Sequence, residues 1–98
     1  MTITKTKNGT ALRLALEGRL DTTTAPALEA ELKEELPGVT DLTLDFEKLV
    51  YVSSAGLRVL LGAQKAMKGQ GEMILVNVCE DIKEVFDITG FSDILHVQ

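Results

Sequence analysis

Two adjacent serines, Ser53 and Ser54, stand where an apolar strand gives way to a helix, within Asp45-Phe46-Glu47-Lys48-Leu49-Val50-Tyr51-Val52-Ser53-Ser54-Ala55-Gly56-Leu57-Arg58-Val59-Leu60-Leu61. A serine hydroxyl at a helix start has several uses. It caps the helix by accepting a backbone N–H that the first turn leaves unpaired. It serves as a nucleophile when a base and an oxyanion site lie within reach. It also tolerates a phosphoryl group, because the positive end of the helix dipole and the free amides favour an anion there. Ser53 or Ser54 fits the capping role, and a cap alone would account for the pair.

The nucleophile use lacks machinery. The single histidine, His96, sits in an apolar tail near the C-terminus, where a packed or edge role is the expectation. Ser53-Ser54-Ala55-Gly56 departs from the Gly-x-Ser-x-Gly spacing of hydrolase elbows, and no Gly-x-x-x-x-Gly-Lys loop offers to cradle a nucleotide phosphate. One cysteine, Cys79, with one histidine makes neither an internal disulfide nor a metal cluster. Cys79 reads as structural. No enzyme activity, catalytic residue, metal or cofactor is expected.

The elements that must position the serines follow from the pattern. Thr2 to Lys7 and Thr10 to Glu17 read as strands of a hairpin turning at Asn8-Gly9, with Leu12, Leu14 and Leu16 on one face. Gly18-Arg19-Leu20-Asp21-Thr22-Thr23-Thr24-Ala25-Pro26 leads into a helix from about Thr24 to Leu36, capped by a threonine, with Pro26 in its first turn. Leu28, Leu32 and Leu36 share its inner side and Pro37-Gly38 ends it. Its acidic outer face, Glu29, Glu31, Glu34 and Glu35, reads as a solvated surface.

Asp41 to Asp45 reads as the strand that delivers the chain to the serines. The next helix carries a bulky stripe of Leu57, Leu60, Leu61 and Met67 and a small one of Ala55, Val59, Gly62 and Ala66, with Arg58 and Lys65 on the exposed side. After the turn Lys68-Gly69-Gln70-Gly71 comes a strand, Glu72 to Val78, whose continuous apolar centre suits a central position buried on both faces. A third helix spans Asp81 to Thr89, with Ile82, Val85, Phe86 and Ile88 apolar and Gly90 at its end, and the tail adds a short edge strand. The order is β-β-α-β-α-β-α with a short closing strand: an α/β fold with a mixed sheet flanked by helices.

Composition limits the function. The chain's 98 residues suit one domain over residues 1–98, and 45% hydrophobic with 26% charged residues describes a globular chain rather than a disordered one. A net charge of −5 opposes a nucleic-acid partner, whose affinity comes largely from Lys and Arg. Apolar runs such as Ile74-Leu75-Val76 are far too short to span a membrane, and the N-terminus lacks a secretory pattern, so a cytoplasmic location is expected.

Tyr51-Val52-Ser53-Ser54-Ala55-Gly56-Leu57 resembles the phosphorylation signature of bacterial anti-sigma factor antagonists, the small members of the STAS family, in which an aromatic-apolar pair precedes Asp-Ser-Ser/Thr-Gly-Leu. Ser53 stands where many members have aspartate, and Ala55 where many have a second hydroxyl. Gly18-Arg19-Leu20-Asp21, followed by Ala25 and Leu28, is similar to the family's Gly-x-Leu-Asp entry to the first helix. Phe86-Asp87-Ile88-Thr89-Gly90-Phe91 is similar to its Leu-Thr-Gly-Leu close.

The resemblance implies the STAS fold and a partner switch. The unmodified protein would bind an anti-sigma factor that is also a serine kinase and so release the sigma factor. Phosphorylation would reverse that binding and a PP2C-type phosphatase would reset it. The implied phosphoacceptor is Ser54, with Ser53 second. Asp21, Thr22, Thr23, Thr24, Tyr51, Val52, Ser53, Gly56, Leu57 and Arg58 form the implied docking surface, on a protein monomeric when free. A STAS module that senses a small ligand, or a scaffold component of another signalling pathway, is the alternative.

Overall fold

A computed structural model describes all 98 residues. Strands β1 (Thr2–Asn8) and β2 (Ala11–Leu20) form an antiparallel hairpin, followed by α1 (Ala25–Glu35), β3 (Asp41–Val52), α2 (Ser54–Met67), β4 (Glu72–Val76), α3 (Glu80–Thr89), a 3-10 turn (Phe91–Asp93) and β5 (His96–Val97). The strands lie in chain order across one sheet, and every neighbour after the hairpin is parallel. The expected order of elements, including the closing strand, is the observed one.

Four consecutive parallel strands joined by right-handed crossovers that step in one direction place their helices on one face of the sheet. The side chains agree. Leu12, Leu42 and Met73 stand in register across β2, β3 and β4, as do Leu14, Leu44 and Leu75, and all six are buried. They join Leu28 and Leu32 of α1, Leu60 and Met67 of α2, and Ile82 and Phe86 of α3 in one core of 25 residues that contains no polar side chain.

Several boundaries differ from the sequence reading. The hairpin pairs Asn8 with Ala11, so the two-residue turn is Gly9-Thr10, with Gly9 at φ 64° in the first turn position. β4 is flanked by β3 and the two-residue β5, so the central strand is β3; Ile74 and Val76 are only partly buried because helices cover one face of the sheet, not both. On that open face Asp45 accepts from Arg13 (2.8 Å) and from the Asn77 side chain (3.0 Å). Cys79 is exposed at the start of α3 rather than packed, and Ile88 points to solvent.

The largest difference is in β3. The strand does not stop at Asp45 but continues for seven more residues to Val52, through two irregularities in its pairing with β2. Between the Ala15–Asp45 and Glu17–Lys48 pairs, and again between Gly18–Leu49 and Arg19–Tyr51, β3 carries one extra residue. Each bulge resets the alternation, so the buried positions run Leu42, Leu44, Phe46, then Leu49 and Val52. The site is thereby mounted on the end of the central strand.

Candidate functional site at the start of α2

The C-terminal ends of β2 and β3 are tied together where the serines begin. The Ser53 N–H donates to the Leu20 carbonyl at 2.8 Å. Ser53 has extended backbone and is the N-cap of α2: its hydroxyl accepts from the Gly56 N–H at 3.4 Å, and its carbonyl accepts from Leu57 N–H at 2.9 Å. The cap is therefore Ser53. Ser54 is the first residue of the helix, exposed, with its hydroxyl engaged by no other group of the chain.

Gly56 explains how α2 sits so close to the end of β2. A Cβ at this position would lie 2.7 Å from Leu20 Cγ and 3.1 Å from the Leu20 carbonyl oxygen. Only glycine lets the first turn of α2 pack onto Leu20 as it does.

The neighbouring loop from β2 to α1 is held by Asp21. Its Oδ1 accepts from the Thr23 hydroxyl (2.7 Å), the Thr23 N–H (3.0 Å) and the Thr24 N–H (3.2 Å). These bonds, the Thr23 hydroxyl foremost, favour the charged form and hold the carboxyl below its usual range. Thr24 occupies the cap position of α1, yet its hydroxyl makes no cap bond; it accepts from Asp21 N–H and donates to the Arg19 carbonyl, both at 2.8 Å. Asp21 thus fixes the loop that leads into α1, and the helix itself starts without a side-chain cap.

Arg19 lies over the Tyr51 ring, 4.2 Å from its centroid, with Nε 3.7 Å from Asp21 Oδ2. This links the β2–α1 loop to the end of β3. Thr22, Ala25, Pro26 and Glu29 on one side and Ala55, Arg58 and Val59 on the other line an open depression of about 160 Å³ between α1 and α2.

Of the residues implied by the sequence, Thr22, Thr23, Tyr51, Ser54 and Arg58 are exposed around the start of α2. Val52, Gly56 and Leu57 are buried and support the loop from beneath, while Asp21, Ser53 and Thr24 are half-buried and spent on the bonds above. Val50 was not among them. It is the extra residue of the second β3 bulge and 66% exposed, beside Tyr51. The three-residue spacing from Phe46 to Leu49 to Val52 is the sequence signal that gives it away.

No three His, Cys, Asp or Glu side chains stand together to hold a metal ion. His96 pairs with Ile74, in the row of Thr43, and so lies nine β3 residues back along the sheet from Val52, far from the serines. No helix is long and apolar enough to cross a membrane. What the site offers is a free hydroxyl on a helix N-terminus, an unpaired guanidinium and two exposed side chains with apolar surface, Val50 and Tyr51: the parts of a contact surface.

The chain is 39% identical to BtrV of Bordetella bronchiseptica, named as a candidate anti-sigma factor antagonist, over 99% of this chain and 85% of that one. It is 34% identical to the anti-sigma-B factor antagonist of Staphylococcus aureus over 82% of this chain and 76% of that one. Its fold is similar to that of the Bacillus anti-sigma factor antagonist SpoIIAA, solved in unphosphorylated and phosphorylated forms. The unphosphorylated form matches with TM-score 0.78 and 21% identity over 99% of this chain and 87% of that one. The model of the STAS domain matches residues 2–98, and the protein belongs to the STAS domain family.

Proposed function

We propose that this STAS protein is an anti-sigma factor antagonist that works by partner switching, with Ser54 as the phosphoacceptor. The observation that carries the reading is the division of roles between the serines: Ser53 caps α2, which leaves the Ser54 hydroxyl exposed and unengaged. The names of the relatives support the choice of partner, an anti-sigma factor. Unmodified, the protein binds an anti-sigma factor that is also a serine kinase and displaces its sigma factor. The contact surface comprises Thr22, Thr23, Tyr51, Ser54, Arg58 and the added Val50, shaped by Asp21, Thr24, Val52, Ser53, Gly56 and Leu57.

In the kinase complex the Ser54 oxygen attacks the γ-phosphorus of ATP, ADP leaves, and the hydroxyl proton passes to a base of the kinase. The phosphoryl group brings about −1.5 to −2 charges to the middle of the contact. Binding is lost by repulsion and by the desolvation a dianion would require, while the helix N-terminus accepts the phosphate without unfolding. A PP2C-type phosphatase resets the protein by hydrolysing the phosphoester to serine and inorganic phosphate. The protein itself catalyses nothing in this cycle; it acts by binding, in the cytoplasm, with no nucleic-acid or membrane partner.

The test is kinase binding and intact-mass analysis with ATP. Ser54→Ala keeps binding and takes no phosphate; Ser54→Asp weakens binding by at least about tenfold, or ~1.4 kcal/mol; Ser53→Ala is still modified. Loss of binding in Ser54→Ala, or a phosphate that persists in it, sinks the assignment.

One observation favours a second reading, a ligand-sensing STAS module. A groove of about 530 Å³ runs between α1 and α2, lined by Leu32, Leu36, Val59, Ala63 and Ala66 among others. Saturable protection against thermal unfolding by a small molecule, lost when Gly62→Leu fills the groove, would establish it.

A further inference from the structure

The charged groups about the start of α2 are almost all engaged. Arg19 is held by Tyr51 and Asp21, Asp21 by the threonines of its own loop, and Glu29 of α1 lies 3.9 Å from Lys33. Arg58 is the exception. It is exposed, forms no ion pair and lines the open depression between the helices together with Thr22 and Glu29.

Its place on the helix is specific. Ser54 and Arg58 are four residues apart on α2, so they stand one above the other on the same face. Side chains on a helix lean toward its N-terminus, which brings the long Arg58 side chain back over the turn that begins at Ser54. An anion placed four residues before a cation is also the favourable order of such a pair. A guanidinium presents a planar fork that matches two oxygens of a phosphoryl group, which a lysine at the same place would not do.

We propose that Arg58 is an intramolecular clamp for the phosphoryl group on Ser54. The inference rests on Ser54 being the modified residue. In the unmodified protein Arg58 is free to meet an acidic group of the anti-sigma partner. Once Ser54 carries phosphate, the guanidinium turns onto it. The modification then changes the surface twice: it adds an anion and it withdraws the one cation that was available. The switch keeps the phosphate ordered against α2, which suits a group that a phosphatase must later find in one geometry.

The test uses the full chain with phosphoserine installed at position 54 by genetic encoding, so it needs no kinase. Phosphorus NMR titration follows the second ionisation of the phosphate. With Arg58 in place that ionisation falls about 0.5 pH units below its value in Arg58→Gln, a shift of the size a helical ion pair with charge-assisted hydrogen bonds produces. The Arg58 Nε–H signal also moves and exchanges more slowly on phosphorylation. Arg58→Lys recovers only part of the shift. Equal titration with Arg58 in place and in the Arg58→Gln variant overturns the clamp. As an independent measurement, a double-mutant cycle of Ser54→Glu with Arg58→Gln shows a coupling of about 2 °C in Tm; strict additivity there counts against the pairing. Failure of the proposed function reads differently, as a kinase and ATP that leave Ser54 unmodified, whatever the encoded phosphoserine does.

Discussion

Replacing Gly56 by alanine sets two effects of known sign against each other. Alanine is preferred to glycine inside a helix by about 0.8–1 kcal/mol, so the substitution should stabilise α2 on propensity alone. The structure predicts the opposite. The new Cβ would lie 2.7 Å from Leu20 Cγ and 3.1 Å from the Leu20 carbonyl oxygen, when ordinary contact begins at 3.4 Å. Leu20 is fully buried and its carbonyl holds the Ser53 N–H, so neither atom moves freely. Overpacking of a core costs about 1–3 kcal/mol, and an approach of 2.7 Å to a fully buried side chain belongs in the upper part of that range, so after the propensity gain a net loss of about 1–2 kcal/mol remains. For a domain of this size that is a fall in Tm of about 5–12 °C. Gly62→Ala is the control on the same helix. No heavy atom lies within 4 Å of its added Cβ, so it should raise Tm by about 3–6 °C. Thermal unfolding followed by circular dichroism decides both. If Gly56→Ala matches or exceeds the wild-type Tm, the first turn of α2 is not seated on Leu20 and the placement of both serines fails with it.

The two serines should separate in stability as they do in geometry: Ser53→Ala loses a cap and about 0.5–1 kcal/mol, while Ser54→Ala stays within about 0.5 kcal/mol of wild type in urea unfolding. Equal losses would mean the cap has been assigned to the wrong residue. Asp21 is held below its usual carboxylate value by the Thr23 hydroxyl and the Thr23 and Thr24 N–H groups, so its contribution is complete above the unfolded value of about 3.9 and is lost as pH falls from there through the folded value. In acid titrations of stability the advantage of wild type over Asp21→Asn should shrink below about pH 4; a difference constant from about pH 7 to about pH 2 would refute the loop assignment.

Elements with an uninterrupted period were legible in the sequence. Leu12, Leu14 and Leu16 alternate and are buried; Leu28, Leu32 and Leu36 repeat at helical spacing and are buried. Alternation in β3 supports a strand only as far as Asp45, because beyond it two bulges turn the period of two into steps of three, which no single period captures. Ile88 is apolar like Ile82 and Phe86 in α3, yet at about 100° per residue it stands about 240° round the helix from Ile82, so it is exposed while Phe86 is not. The apolar run Ile74-Leu75-Val76 suggested a strand covered on both faces, but one-sided crossovers leave Ile74 and Val76 half open. At the site, the residue types marked Asp21, Ser53 and Ser54, but not which serine caps. That depends on backbone angles at a single residue. Val50 escapes a reading based on alternation for the same reason as the rest of β3: its outward direction is created by the bulge, and only the three-residue spacing of Phe46, Leu49 and Val52 marks it.

The arrangement explains why a charge on Ser54 need not disturb the fold beneath it. Had Ser54 been the cap, a phosphoryl group would have taken away the oxygen that holds the first turn, and modification would have frayed α2. Here the cap is the preceding residue, and its hydroxyl bonds Gly56 N–H whatever happens one position on. Asp21 braces the facing loop through bonds that do not involve either serine. The Ser53 N–H is fixed to β2 through Leu20, at the end of the central strand. The support of the site and its variable group are therefore separate sets of atoms, one held in hydrogen bonds and one exposed and unengaged. A modification confined to the exposed set alters what a partner meets without altering what holds the surface in place, which is the physical requirement for a switch that must be reset many times.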